Sequence, residues 1–98
     1  MVLAVLGLNH KTVSVDIREK FSISEESARE GLLHLSEQEG IKEAVVLSTC
    51  NRTEIYAVLK DEEDKEKLYH FFLTLSGNSK AEKEYFFFYT GTECIRHL

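Results

Sequence analysis

Ala44-Val45-Val46-Leu47, then Ser48-Thr49-Cys50-Asn51-Arg52-Thr53, then Glu54-Ile55-Tyr56-Ala57-Val58-Leu59 is a short apolar run, a polar run, and a run rich in β-branched and aromatic residues. The first has the character of a buried strand and the last of a second strand, so the polar residues between them form a strand-to-strand turn. Cys50 lies at its centre. A side chain there leaves the sheet and can meet a ligand, while the strands on either side hold its backbone. Most free cysteines act as small hydrophobes and sit among Val, Leu and Ala. Cys50 is instead flanked by Ser48, Thr49, Asn51, Arg52 and Thr53. A free thiol is only roughly 3% thiolate at pH 7, and a nearby cation lowers its pKa. Arg52 is such a cation, two residues on, which makes Cys50 a candidate nucleophile on chemistry alone.

Upstream, Val2–Leu8 is apolar on both faces, as a central strand covered by helices would be. It ends in the polar quartet Asn9-His10-Lys11-Thr12, where His10 reads as a solvated loop histidine. Ser14 can cap a short helix carrying Asp16 in its first turn and Ile17 and Phe21 on one face. Ser24 can cap a second, with Ala28, Leu32 and Leu35 as its buried stripe and Gly40 as its left-handed stop. Downstream, the charge run 61–67 reads as a solvated helix start without a functional role. Leu68, Phe71, Phe72 and Leu75 follow at helical spacing until Gly77, so these aromatics belong to a core. Residues 85–89 form a last strand, and residues 93–98 open a helix after Thr90-Gly91-Thr92. The order predicts an α+β, ferredoxin-like βαββαβ unit: a four-stranded antiparallel sheet with helices on one face. That architecture hosts many functions.

Ninety-eight residues make one domain, too small to hold a dinucleotide-binding domain as well. A formal net charge of −5 is not the basic surface of a protein that grips nucleic acid by its phosphates. Two cysteines in an acidic chain without a signal segment point to a reducing, cytoplasmic setting, and a Cys50–Cys94 disulfide does not follow from sequence. The apolar start is too short to span a membrane. No metal site is expected.

Gly7-Leu8-Asn9-His10-Lys11-Thr12 and Leu47-Ser48-Thr49-Cys50-Asn51-Arg52-Thr53-Glu54-Ile55-Tyr56 together resemble the start of glutamyl-tRNA reductase. Ile95-Arg96-His97-Leu98 is similar to the point where that family enters its long active-site helix. The resemblance covers the whole chain but only the first part of the family's protein. Residues 1–98 are therefore expected to be its N-terminal catalytic domain, cut at the start of the following helix. The rest of that helix, an NADPH-binding domain and a carboxy-terminal dimerisation domain would lie beyond.

The resemblance implies a homodimeric oxidoreductase that converts the glutamyl group of glutamyl-tRNA to glutamate-1-semialdehyde for tetrapyrrole and porphyrin biosynthesis. A hand-off to the next enzyme of the pathway would follow. Cys50 would be the nucleophile that forms a thioester, with Thr49, Asn51 and Arg52 as substrate-binding residues. Arg52 has the shape to pair a carboxylate in bidentate fashion and the charge to favour the thiolate. His97 is a candidate for proton transfer or for placing the ester, whereas on residues alone it is a histidine in a terminal helix. Cys94 reads as core. Ser14 stands where the family commonly carries proline, and serine can cap the helix that proline would start. The acidity implies that tRNA is held by absent parts, or locally by Lys11, Arg18 and Arg52. The fragment alone is not expected to reduce its substrate. Two other classes remain: a ferredoxin-like regulatory or ligand-binding module in which Cys50 is incidental, and a thiol redox switch using Cys50 and Cys94.

Overall fold

The computed structural model describes residues 1–9, 11, 13–49 and 51–98. His10, Thr12 and Cys50 lie outside the described residues. The elements are β1 (Val2–Leu8), α1 (Val15–Lys20), α2 (Glu25–Leu33), β2 (Ile41–Ser48), β3 (Thr53–Leu59), α3 (Lys65–Ser76), β4 (Phe86–Thr90) and α4 (Gly91–His97). The strands form one sheet in the order β2-β3-β1-β4, and every neighbouring pair is antiparallel. β1 is central, as its apolar character on both faces requires.

One face of the sheet carries the main core. Ala4, Leu6 and Leu8 of β1 alternate onto that face with Ile55, Ala57 and Leu59 of β3, and Phe86 and Phe88 of β4 pack against them. Leu68, Phe71, Phe72 and Leu75 of α3 close the core from above. Phe72 is fully buried, its ring 5.2 Å from that of Phe86 in an edge-to-face arrangement. The charge run does start a helix: the Asp64 carboxylate accepts from the Asp61 N–H at 2.9 Å just before α3, and Gly77, at φ 78°, ends it in the left-handed region. Ser14 and Ser24 cap α1 and α2, accepting from Ile17 N–H and Ser27 N–H.

Three sequence expectations change. α2 stops at Leu33 and gives way to a 3-10 turn at Leu35–Glu37, so Gly40 is not its stop. Gly40 instead turns the chain into β2 at φ 90°. The residues 44–47 are not a fully buried strand, because β2 lies at the sheet edge, where Val45 is 64% exposed. Helices are not confined to one face. α1, α2 and α3 lie on the core side, whereas α4 packs over the opposite side, where Val5 and Cys94 are fully buried outside the main core. Substituting Phe72→Ala should cost about 3–5 kcal/mol, measured by urea unfolding. A loss below about 1 kcal/mol would mean that the core does not depend on this ring.

Candidate active site

The turn between β2 and β3 is held by its own backbone and by Thr49. The Thr49 N–H donates to the Arg52 carbonyl at 2.7 Å, and the Thr49 hydroxyl oxygen accepts from the Asn51 and Arg52 N–H groups at 3.2 and 3.1 Å. Ile23 N–H donates to the Ser48 hydroxyl at 3.2 Å, which ties the segment after α1 to the end of β2. Thr49, Asn51 and Arg52 all line one cavity beside this turn. Cys50, the expected nucleophile between them, lies outside the described residues.

Glu54, at the start of β3, is 2% exposed and faces away from the main core. Its neighbours across the sheet are Gly7 on β1 and, one strand further, Phe87 on β4. A Cβ on Gly7 would lie 2.8 Å from the Glu54 Cγ and 2.7 Å from the Phe87 Cζ, so only glycine leaves room for both side chains. Four donors converge on the carboxylate. Arg52 gives its Nη2–H to Oε1 at 2.7 Å and its Nε–H to Oε2 at 3.3 Å; the Tyr56 hydroxyl donates to Oε1 at 3.1 Å. His97 Nε2, from α4, lies 2.8 Å from Oε2. A carboxylate has about four lone-pair positions, and here all are in use. Glu54 is therefore an organiser with nothing left to offer a substrate.

Burial pushes the Glu54 carboxyl up, but the hydrogen bonds from His97, Arg52 and Tyr56 outweigh it and hold the group below the ordinary glutamate value. The Glu54 hydrogen bond and charge raise Arg52 in turn, and burial followed by Glu54 raises the Tyr56 phenol. An ionised Glu54 can only accept, so the proton of the 2.8 Å contact sits on His97 Nε2. The ring is steered by Phe87 and Tyr89, with centroids 4.6 and 5.5 Å away.

Of the expected site residues, Thr49, Asn51 and Arg52 share the turn and its cavity, and His97 joins Arg52 through Glu54. Thr49 spends its hydroxyl oxygen on the turn, and Arg52 spends one bidentate edge on Glu54. Glu54, Tyr56 and Gly7 were not legible as site residues. One signal was available: Glu54 is the charged residue that alternates with Ile55 and Ala57 in a strand of otherwise uncharged residues. Cys94 is fully buried, and burial pushes its thiol pKa up, which disfavours disulfide exchange. No group of three His, Cys, Asp or Glu side chains suited to a metal occurs among the described residues.

An antiparallel-sheet α+β domain with an ion-paired polar cluster at one strand end defines a binding or catalytic module. A family model described as Glutamyl-tRNAGlu reductase, N-terminal domain, matches residues 6–98. The chain belongs to that family. It is 41% identical over 99 residues to the glutamyl-tRNA reductase of Desulforudis audaxviator and 44% identical over 100 residues to that of Synechocystis. Each match covers all of this chain, and 22% and 23% of those relatives. Among solved structures, glutamyl-tRNA reductase from Methanopyrus kandleri superimposes with a TM-score of 0.66 at 25% identity, over 97% of this chain and 20% of that one. The chain thus spans about a fifth of the length of these relatives.

Glu54→Gln should reveal the buried charge through pH. A carboxyl held low in the folded state stabilises it fully above about pH 4.5, its ordinary value, and loses that contribution as pH falls through the lower folded value. The variant should be less stable than wild type by roughly 2 kcal/mol at pH 7, with the difference shrinking on acidification below pH 4.5. Thermal unfolding across pH checks this; a difference that stays constant with pH would refute the ionised assignment.

Proposed function

We propose that this chain is the acyl-transfer domain of an NADPH-dependent glutamyl-tRNA reductase. The observation that carries the reading is the Glu54 cluster: it joins Arg52, next to the expected nucleophile, to His97 on a different element, in a chain of this family. The strand order β2-β3-β1-β4 with antiparallel neighbours supports the ferredoxin-like split βαβ arrangement, extended by α4 on the second face.

The chemistry starts from an ester between glutamate and the terminal ribose of tRNA. The Cys50 thiolate attacks the carbonyl carbon; a C–S bond forms, the C–O bond to the ribose breaks, and the ribose oxygen leaves with a proton. A thioester is electrophilic enough to accept a hydride, which a carboxylate is not. Hydride and one proton then release the aldehyde, glutamate-1-semialdehyde, and regenerate the thiol. His97 is the group suited to the protons: Nε2 is committed to Glu54, and Nδ1 has no hydrogen-bond partner among the described residues. Arg52 keeps its second guanidinium edge for an anion, and its charge favours the thiolate.

NADPH does not fit on this chain. Its sequence contains no glycine-rich strand-to-helix turn for a dinucleotide, so the hydride step is assigned to a further domain and not to these residues. Homodimerisation through a carboxy-terminal domain, a cytoplasmic location and transfer of the reactive aldehyde to the next enzyme belong to the same proposal for the whole protein.

Incubating the full-length protein with glutamyl-tRNA without NADPH, followed by acid quench and peptide mass spectrometry, should show a glutamyl adduct on Cys50 that is absent from Cys50→Ser. His97→Ala should slow its formation by about 100- to 10,000-fold. A folded protein that leaves Cys50 unmodified and the tRNA charged would remove the catalytic assignment in favour of a binding module.

A further inference from the structure

The cavity beside the turn has a second wall, built by α1, that the Glu54 cluster does not use. Its volume is about 210 Å³, and Arg18 and Glu19 line it together with Thr49, Asn51 and Arg52. Its two guanidinium groups differ. Arg52 is paired with Glu54 at 2.7 Å, and in the reading above its remaining edge serves the amino-acid end of the substrate. Arg18 has no ion-pair partner among the described residues, and its Nε is shielded from solvent without a hydrogen-bond acceptor. A buried donor left open is costly and uncommon, and here it belongs to a side chain lining a cavity. The Glu19 carboxylate, exposed on the same wall, is likewise without an ion pair among the described residues. One small space therefore offers a guanidinium fork for an anion and a carboxylate that, when ionised, only accepts.

A ribose phosphate matches both groups: its phosphate oxygens suit a guanidinium edge, and its sugar hydroxyls can donate to a carboxylate. Resting on the glutamyl-tRNA reading above, we propose that α1 holds the sugar–phosphate of the terminal nucleotide of the RNA. Arg18 takes the phosphate through Nε–H and Nη–H, which satisfies the open donor, and Glu19 accepts from the ribose hydroxyl that does not carry the ester. The ester oxygen belongs to that same ribose, one sugar away from the phosphate. A phosphate held at α1 therefore brings the ester carbonyl to the turn. Sites for drug-sized ligands run to roughly 300–1,000 Å³, so a cavity of about 210 Å³ admits a sugar–phosphate without its base. The contact positions the RNA end and carries no sequence information. The Ile23 N–H to Ser48 hydroxyl bond, at 3.2 Å, keeps the α1 wall in register with the turn. The turn then reads the amino acid, and α1 reads its attachment to RNA.

The test uses full-length protein and compares two acyl donors in single-turnover formation of the Cys50 thioester. One is glutamyl-tRNA; the other is L-glutamate α-thiophenyl ester, which has the same amino acid, a good leaving group and no nucleotide. Arg18→Gln should slow the reaction of subsaturating tRNA roughly 10- to 100-fold and that of the small ester by no more than about threefold. Arg18→Lys, which keeps the charge, should recover part of the loss. The slope of log rate against log salt for the tRNA reaction should fall in magnitude by about 0.7 in Arg18→Gln, a change that a merely structural role for Arg18 does not produce. Equal losses on the two donors, or no loss on either, would overturn the proposal. A second arm needs no acyl transfer. Adenosine monophosphate should protect Cys50 from iodoacetamide better than its dideoxy analogue; Arg18→Gln should abolish protection by both, and Glu19→Ala the difference between them. Protection that needs Arg18, in a protein that takes no glutamyl group from tRNA, would defeat the reductase reading and leave the α1 site standing. Protection that survives Arg18→Gln, or none in the wild type, would defeat the site alone.

Discussion

The Glu54 carboxylate is ionised and almost without solvent, and a charge in that position must find its donors inside the protein. An uncompensated buried charge costs several kcal/mol even after relaxation, so the fold is arranged to supply four hydrogen bonds at once. Two come from Arg52, at the end of the β2–β3 turn, one from Tyr56, two residues along β3, and one from His97 on α4. The space comes from Gly7 on the neighbouring strand. The same carboxylate therefore fixes the direction of the turn arginine and the docking of the last helix. α4 has only seven residues, too few to persist alone, and it is held by Cys94 packed against the sheet and by His97 between Glu54 and two aromatic rings.

The parts of the fold that were legible are those in which local pattern and burial agree. The continuous apolar run of β1, the β-branched and aromatic run of β3, and the helical spacing of Leu68, Phe71, Phe72 and Leu75 mark strands and a core helix without reference to any partner. The residues that were not legible act across strands. Gly7 and Glu54 are register partners separated by most of the chain's first half, and neither position declares the other. Val45 looks like core by composition and is exposed because β2 is an edge strand, a property of strand order rather than of residue type. α4 crosses to the second face because Cys94 and His97 have their partners there, and a helix of two turns has too short a stripe to announce its side.

The chemistry-bearing residues divide in the same way. Thr49, Asn51, Arg52 and His97 enter as candidates through the family resemblance, and on residues alone His97 is only a histidine in a terminal helix. What residue type does not declare is how much of each side chain is free. The Thr49 hydroxyl oxygen closes the turn, and one edge of Arg52 is bound to Glu54, so the residues with the most suggestive chemistry are partly committed to structure before any ligand arrives.

That commitment also bears on the acidity of the chain. A net charge of −5 does not favour attraction of a polyanion through this domain as a whole. The relevant charge is local: Arg52 is neutralised by Glu54, whereas Arg18 lies on the wall of a small cavity with its charge uncompensated by any ion pair among the described residues. Salt screens carboxylates scattered over the surface beyond about 8–10 Å, while a direct hydrogen-bonded contact is largely unscreened. An acidic domain can therefore still present a local positive charge.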